Sequence, residues 1–214
     1  MPTDADPVDA SQPARRRLLS RQHVLDAARA IVTERGYRGA SVAAIATQAG
    51  ISNGALYRYF PSKVDLFVEV FRNVCDGEMR AATRAASKVQ EPLAKLDAML
   101  VDFATRALSN PTLAWALLAE PVDVAVEEVR MEYRLKYRQA IERLLDRAVD
   151  AGTIPPQDTV ITAAALLGGG NEVLAGPLSP LSDSGRDAAT AIAELRRMTY
   201  GAVHTAALGA DGLA

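Results

Sequence analysis

The chain has 214 residues, 49% of them hydrophobic and 23% charged, with a formal net charge of −2; this suits one large domain or a small module joined to a larger one and excludes global disorder. A single cysteine, Cys75, leaves no intrachain disulfide, and two distant histidines with one cysteine give no metal-ligand cluster. No stretch approaches 18 uninterrupted apolar residues, which argues against a membrane span, and the polar N-terminus lacks the apolar core of a signal peptide. The composition fits a reducing, cytoplasmic compartment.

Abundant alanine, few aromatics and few runs of Val, Ile and Thr favour helix over sheet. Residues 1–14 carry no periodicity and read as disordered. Arg15-Arg16-Arg17 follows, so 1–19 is expected to be a structureless basic arm. Ser20 is placed to cap a first helix with Val24, Leu25, Ala28, Ile31 and Val32 on one stripe, and Gly36 to stop it. Ser41 caps a short second helix that Gly50 ends. Ser52 caps a third helix of about two turns, ending near Phe60 because Pro61 disfavours helical backbone before it. Ser62 caps a fourth helix, with Asp65 in a capping-box position and Val64, Phe67, Phe71 and Val74 on one stripe to about Ser87.

Beyond it the chain stays helical: 93–108, then a short apolar helix opened by Pro111, then a long helix from after Pro121 to about Ala151. Residues 158–175 are almost wholly apolar, which predicts burial on all sides. Residues 176–185 read as a loop, and a last helix spans about 187–208. The fold class is therefore all-α, about nine helices. A three-helix helix-turn-helix head (20–66) is joined to a larger helical domain (67–214).

Charge is unevenly spread. Between Arg15 and Lys63 nine Lys and Arg face only Asp26 and Glu34, a net of +7 that leaves the rest of the chain at −9. A basic module on an acidic body is the footprint of a nucleic-acid binder; clustering on a solvated face is the alternative.

Gly50-Ile51-Ser52-Asn53-Gly54 also spells the Gly-x-Ser-x-Gly of a serine hydrolase elbow, with Asp183 or Asp187 and His204 downstream in the matching order. The elbow needs a strand running into the serine. "SVAAIATQA" has helical spacing instead, so Ser52 reads as a helix cap, and no enzymatic activity is expected. On the third helix, Leu56 and Phe60 then face inward and Asn53, Tyr57, Arg58 and Tyr59 outward.

"AGISNGALYRYFPSKVDLF" resembles the helix-turn-helix signature of the TetR family of bacterial transcriptional regulators, and "AARAIVTERGYRGASVAAIATQ" resembles its first two helices; the likeness covers about residues 20–72. It implies a homodimer that places each third helix in the major groove of a palindromic operator, with repression relieved by a small effector. Tyr57 matches a position that touches the phosphate backbone or a base, Lys63 a phosphate-gripping position, Ser41 a phosphate site at a helix start, and Ser52, Asn53, Gly54 and Arg58 positions near bases or phosphates. Tyr59 is a further phosphate contact. Ala43 stands where many relatives carry a polar base reader, and the arginine arm is a candidate substitute through the minor groove.

The resemblance also implies dimerisation through the last two helices and an effector pocket among the middle ones. Met99, Phe103, Trp115, Tyr133 and Tyr137 are candidate apolar walls; Arg106, Glu120, Arg130, Arg134, Asn171 and Glu172 are candidate polar contacts for an apolar or amphipathic effector. Gly168-Gly169-Gly170 marks close helix approach, room for a ligand, or a break in the helix. No strand precedes it and G-x-G-x-x-G is incomplete, so no cofactor is expected. A helical small-molecule binder with a vestigial DNA head is the other reading.

Overall fold

The computed structural model describes residues 11–178 and 187–205, and within them every regular element is helical: α1 (Ser11–Gly39), α2 (Val42–Gln48), α3 (Asn53–Tyr57), α4 (Lys63–Ser87), α5 (Pro92–Ser109), α6 (Pro111–Leu118), α7 (Val124–Asp150), α8 (Thr159–Leu178) and α9 (Ala188–His204). Helix α1 begins at Ser11, so residues 11–19 are helical where a structureless arm was expected, and Ser20 lies inside the helix. "ARRRLL" consists of strong helix formers, and the one breaker, Pro13, falls in the first turn, where proline is tolerated.

The three serine caps of the head form as the spacing predicts. The Oγ atoms of Ser41, Ser52 and Ser62 accept from the backbone N–H of Ala44, Ala55 and Asp65, at 3.1, 3.2 and 3.0 Å. Gly50 (φ 64°) closes α2 in a Schellman turn: Ile51 N–H donates to the Ala46 carbonyl and Gly50 N–H to that of Thr47, each at 3.0 Å. Helix α3 is one turn shorter than predicted. Pro61 holds Phe60 out of helical geometry, and the chain leaves through Tyr59 and Phe60 N–H bonds to the Leu56 carbonyl.

Helix α1 is interrupted at Gly36 (φ 71°, ψ −178°), a conformation open essentially to glycine alone. The buried Glu120, just past α6, fills the break. Its carboxylate accepts from the N–H of Tyr37 at 2.8 Å and of Arg38 at 2.9 Å, while the Tyr37 hydroxyl donates to Asp123. Head and body share one apolar cluster, from Val24 and Leu56 through Phe67 and Phe71 to Val126 and Tyr133, so the division drawn at 66/67 falls inside α4 and inside continuous core.

Helices α4, α5 and α7 pack on one another, α6 joins α1 to α8, and α9 packs on α5 and α8. Helix α8 is not buried on all sides. Val160, Ile161, Ala164, Ala165 and Gly168 are exposed, because within the chain only one face of this apolar helix finds neighbours. It remains helical through Leu178, past the predicted loop start at 176; the rest of that loop, and Asp183 with it, lies outside the described residues. The glycine triplet does not break it.

A Cβ at position 36 would meet Glu120 Oε2 at 3.0 Å in backbone that L-residues avoid. Gly36→Ala should therefore lower unfolding stability by about 1–3 kcal/mol, read as a shifted urea midpoint.

Candidate nucleic-acid interface and effector cavity

The interface begins with a helix too short to stand alone. The five residues of α3 are held by the Ser52 cap and by Leu56 and Phe60, both buried in the head core. That anchoring turns Asn53, Gly54, Tyr57 and Arg58 outward; all are exposed, Tyr57 at 46%. Nothing lies within 4 Å of a Cβ built on Gly54, so its lack of a side chain serves no packing within the chain. Ser41 and Ser52 are exposed beside their free helix starts, and Ala43 is exposed on α2, as expected.

Lys63 is exposed at the start of α4, its Nζ 5.4 Å from the Phe67 ring centre and 5.9 Å from that of Tyr37. Tyr59 differs from the expected outward position: it is half-buried against the head core. Sequence reasoning missed Arg21, which pairs with Glu69 and stacks 4.8 Å from the Phe60 ring centre, pinning α1 to α4 and to the end of the reading segment. Its signal was its place on the helical stripe, one turn before Val24.

The effector candidates divide. Met99, Phe103, Arg130, Tyr133, Arg134, Tyr137 and Asn171 line a cavity of about 120 Å³ enclosed by α4–α9. Arg106 does not; its Nε donates to Glu78 at 2.9 Å and it also pairs with Asp102. Trp115 is half-buried on α6, where Leu117 and Leu118 reach the wall instead. Glu172 is exposed on the open face of α8, and Glu120 belongs to the α1 break. The sequence reading missed the α4 wall of Phe71, Cys75, Glu78 and Ala82, although its spacing continues one helical stripe.

Most polar groups of this wall are already satisfied. Arg130 pairs with Glu127 and donates to the carbonyls of Ala116 at 3.2 Å and Glu120 at 2.8 Å, while the Tyr133 hydroxyl donates to Asp76. The buried Tyr137 hydroxyl has no partner among the described residues. Burial pushes the Cys75 thiol up to about 12, raises Tyr133 and Tyr137 above the ordinary phenol value, and pulls the Arg130 guanidinium down. The triplet glycines face three surroundings: Gly168 is exposed, Gly169 lets α9 approach (Met198 Sδ 3.4 Å from its would-be Cβ), and Gly170 lines the cavity with open space beside it.

The hydrolase constellation is not assembled. Helix α2 precedes Ser52, whose hydroxyl is the α3 cap, Asp187 caps α9, and exposed His204 stacks on Tyr200 with ring centres 4.8 Å apart. No helix among the described residues is long and apolar enough to cross a membrane.

Residues 24–70 match the family model described as bacterial regulatory proteins, tetR family. The HTH-type transcriptional repressor KstR of Mycolicibacterium smegmatis is 34% identical over 97 residues, 45% of this chain and 48% of that one, so the chain matches about half the length of this curated relative. Two solved structures share the fold. The fatty acid degradation regulator FadR of Bacillus halodurans has a TM-score of 0.71 at 20% identity over 84% of this chain and 94% of its own. The transcriptional regulator FadR of Bacillus subtilis, solved in complex with stearoyl-CoA, has 0.72 at 19% over 86% and 99%.

The raised Cys75 value sets a stability window. The folded thiol titrates above the unfolded one (about 8.5), so its contribution is complete below about pH 8.5 and is lost as pH rises toward the folded value. The buried tyrosines act in the same direction at higher pH. Urea midpoints should hold at neutral pH and fall between roughly pH 9 and 11, less steeply in Cys75→Val.

Proposed function

We propose, for a chain that belongs to the TetR family of bacterial regulatory proteins, that it is a homodimeric transcriptional repressor which leaves a palindromic operator when an apolar or amphipathic effector fills its cavity. The observation that carries this is the face of α3. The fold buries Leu56 and Phe60 and leaves Asn53, Gly54, Tyr57 and Arg58 exposed, a donor-rich strip beside a glycine that clears space for a duplex. Ser41, Ser52 and Lys63, with Tyr59 at the edge, would hold phosphates around it, while Asn53 and Arg58 meet base edges. The relative named as a repressor and the structure bound to stearoyl-CoA, an amphipathic molecule, support repression and an amphipathic effector.

Pairing through α8 and α9 would cover the apolar face that one protomer leaves open: Val160, Ile161, Ala165 and Gly168 on α8, Ala193, Tyr200 and Gly201 on α9. Small residues there let the helices approach closely. The effector would act through Arg130. This cavity residue holds the carbonyls at the end of α6, and the Glu120 carboxylate beyond them holds the α1 break. A ligand that moves Arg130 loosens the grip of the body on the head, and the ligand and the operator then weaken one another by the same factor.

On DNA selected from a random pool, Tyr57→Ala and Lys63→Ala should each weaken binding at least about tenfold, and Lys63→Ala should reduce the salt slope by about 1. Gly54→Ala should keep the wild-type melting temperature yet also bind weakly. Retained affinity in both Tyr57→Ala and Lys63→Ala would sink the DNA-binding reading.

A further inference from the structure

A second, open groove of about 510 Å³ lies on the outer side of α4, α5 and α7, and Met99 lines both it and the cavity. Four cations line the groove (Lys95, Lys136, Arg143 and Arg147) and no carboxylate does. On α7 the spacing 136, 143, 147 keeps its three cations on one stripe. The nearby acids are engaged elsewhere: Glu132 is shared between Arg72 and Lys136, and Asp146 accepts from the Thr159 hydroxyl at 2.6 Å. Lys95, Arg143 and Arg147 have no ion-pair partner among the described residues, and Arg147 is tied to the Arg143 carbonyl at 2.9 Å, which holds the two side by side.

Cations clustered around a concavity on a body whose residues 64–214 carry a net charge of −6 are arranged to receive an anion. The wall shared with the cavity is one unbranched methionine, a side chain that changes rotamer readily. In the cavity Glu78 and Arg130 are held in ion pairs and Arg134 lies at the exposed edge, so the largely aliphatic and aromatic lining suits a chain rather than a charged head.

We propose that the groove is a polyanion subsite continuous with the cavity, and that the effector is a phosphate-bearing single-chain amphiphile: its apolar chain passes Met99 into the cavity and its head lies on Lys95, Arg143 and Arg147. This rests on the cavity being the effector site. Two sources offer that chemistry, an acyl thioester of a phosphorylated nucleotide carrier and a lysophospholipid.

The test titrates the full-length dimer with stearoyl-CoA, 1-stearoyl-glycerol 3-phosphate and uncharged stearyl alcohol. It compares the wild type with the Lys95→Ala/Arg143→Ala/Arg147→Ala variant, whose helicity and melting temperature are checked first. The wild type should bind at least one charged amphiphile about tenfold or more tighter than the alcohol, and that preference should shrink with salt. The triple variant should lose the preference while binding the alcohol unchanged. A preference for stearoyl-CoA assigns the nucleotide carrier, and one for the glycerol phosphate assigns the lipid; either supports the subsite. Equal affinity for alcohol and charged amphiphiles, or a triple variant that behaves as wild type, overturns the subsite and leaves the cavity reading standing. Binding of none of the three overturns the cavity reading and the subsite together.

Discussion

The carboxylate of Glu120 is the contact on which the relation of head to body depends. At the Gly36 break the N–H groups of Tyr37 and Arg38 have no helical acceptor, and Glu120 is a buried anion 83 and 82 residues further on. Each would be costly alone, since a buried charge or donor without a partner forfeits its hydration. Together they satisfy one another, and in doing so they fix where α6 meets α1. Gly36 follows from the same constraint: a side chain there would occupy the space of the carboxylate and demand a backbone conformation that only glycine adopts freely.

Much of the head was legible because its chemistry is local. A serine cap acts across three residues and a Schellman glycine across five, so Ser41, Ser52, Ser62 and Gly50 announce their roles in a short window. The burial of Leu56 and Phe60 follows from spacing in the same way. The body was legible as helices but not as surroundings. Six helices contribute to the cavity wall, and nothing within one helix tells Met99, which lines it, from Trp115, which does not. Arg106 and Arg130 look alike in sequence. One is held by Glu78, 28 residues earlier, and the other reaches the end of α6 and lines the cavity. Glu120 read as a pocket contact because its partners are too distant in the chain to suggest themselves. The apolar run of α8 led to two expectations, burial on all sides and a role in dimerisation, because an apolar helix looks the same in sequence whether its neighbours belong to its own chain or to another; within the chain only one face is covered.

The glycine triplet shows why the alternatives offered for it were not exclusive. Successive helical residues point about 100° apart, so three in a row sample nearly the whole circumference of α8. Gly168 looks outward to the apolar face, Gly169 meets Met198 of α9, and Gly170 opens into the cavity. One helix thereby borders solvent, a neighbour and the cavity at the same level. Each glycine costs the helix about 1 kcal/mol in propensity, and of the three only Gly169 gains close packing, against Met198.

The division of polar groups follows the same logic as the Glu120 contact. Around the cavity Arg130 pairs with Glu127, Glu78 with Arg106 and the Tyr133 hydroxyl with Asp76, whereas the Tyr137 hydroxyl has no partner among the described residues and Arg134 and Asn171 also reach the lining. A neutral group can meet that hydroxyl at little cost, whereas a charged head would have to break a buried pair, and breaking one partner from another in low dielectric costs several kcal/mol. Outside, across Met99, Lys95, Arg143 and Arg147 have no ion-pair partner among the described residues, while Lys136 pairs with Glu132. On the proposed reading a charged head would sit better in the wet groove than in the drier cavity. An amphiphile would then enter chain first past Met99, with its far end toward Arg130 and the contact that holds the head.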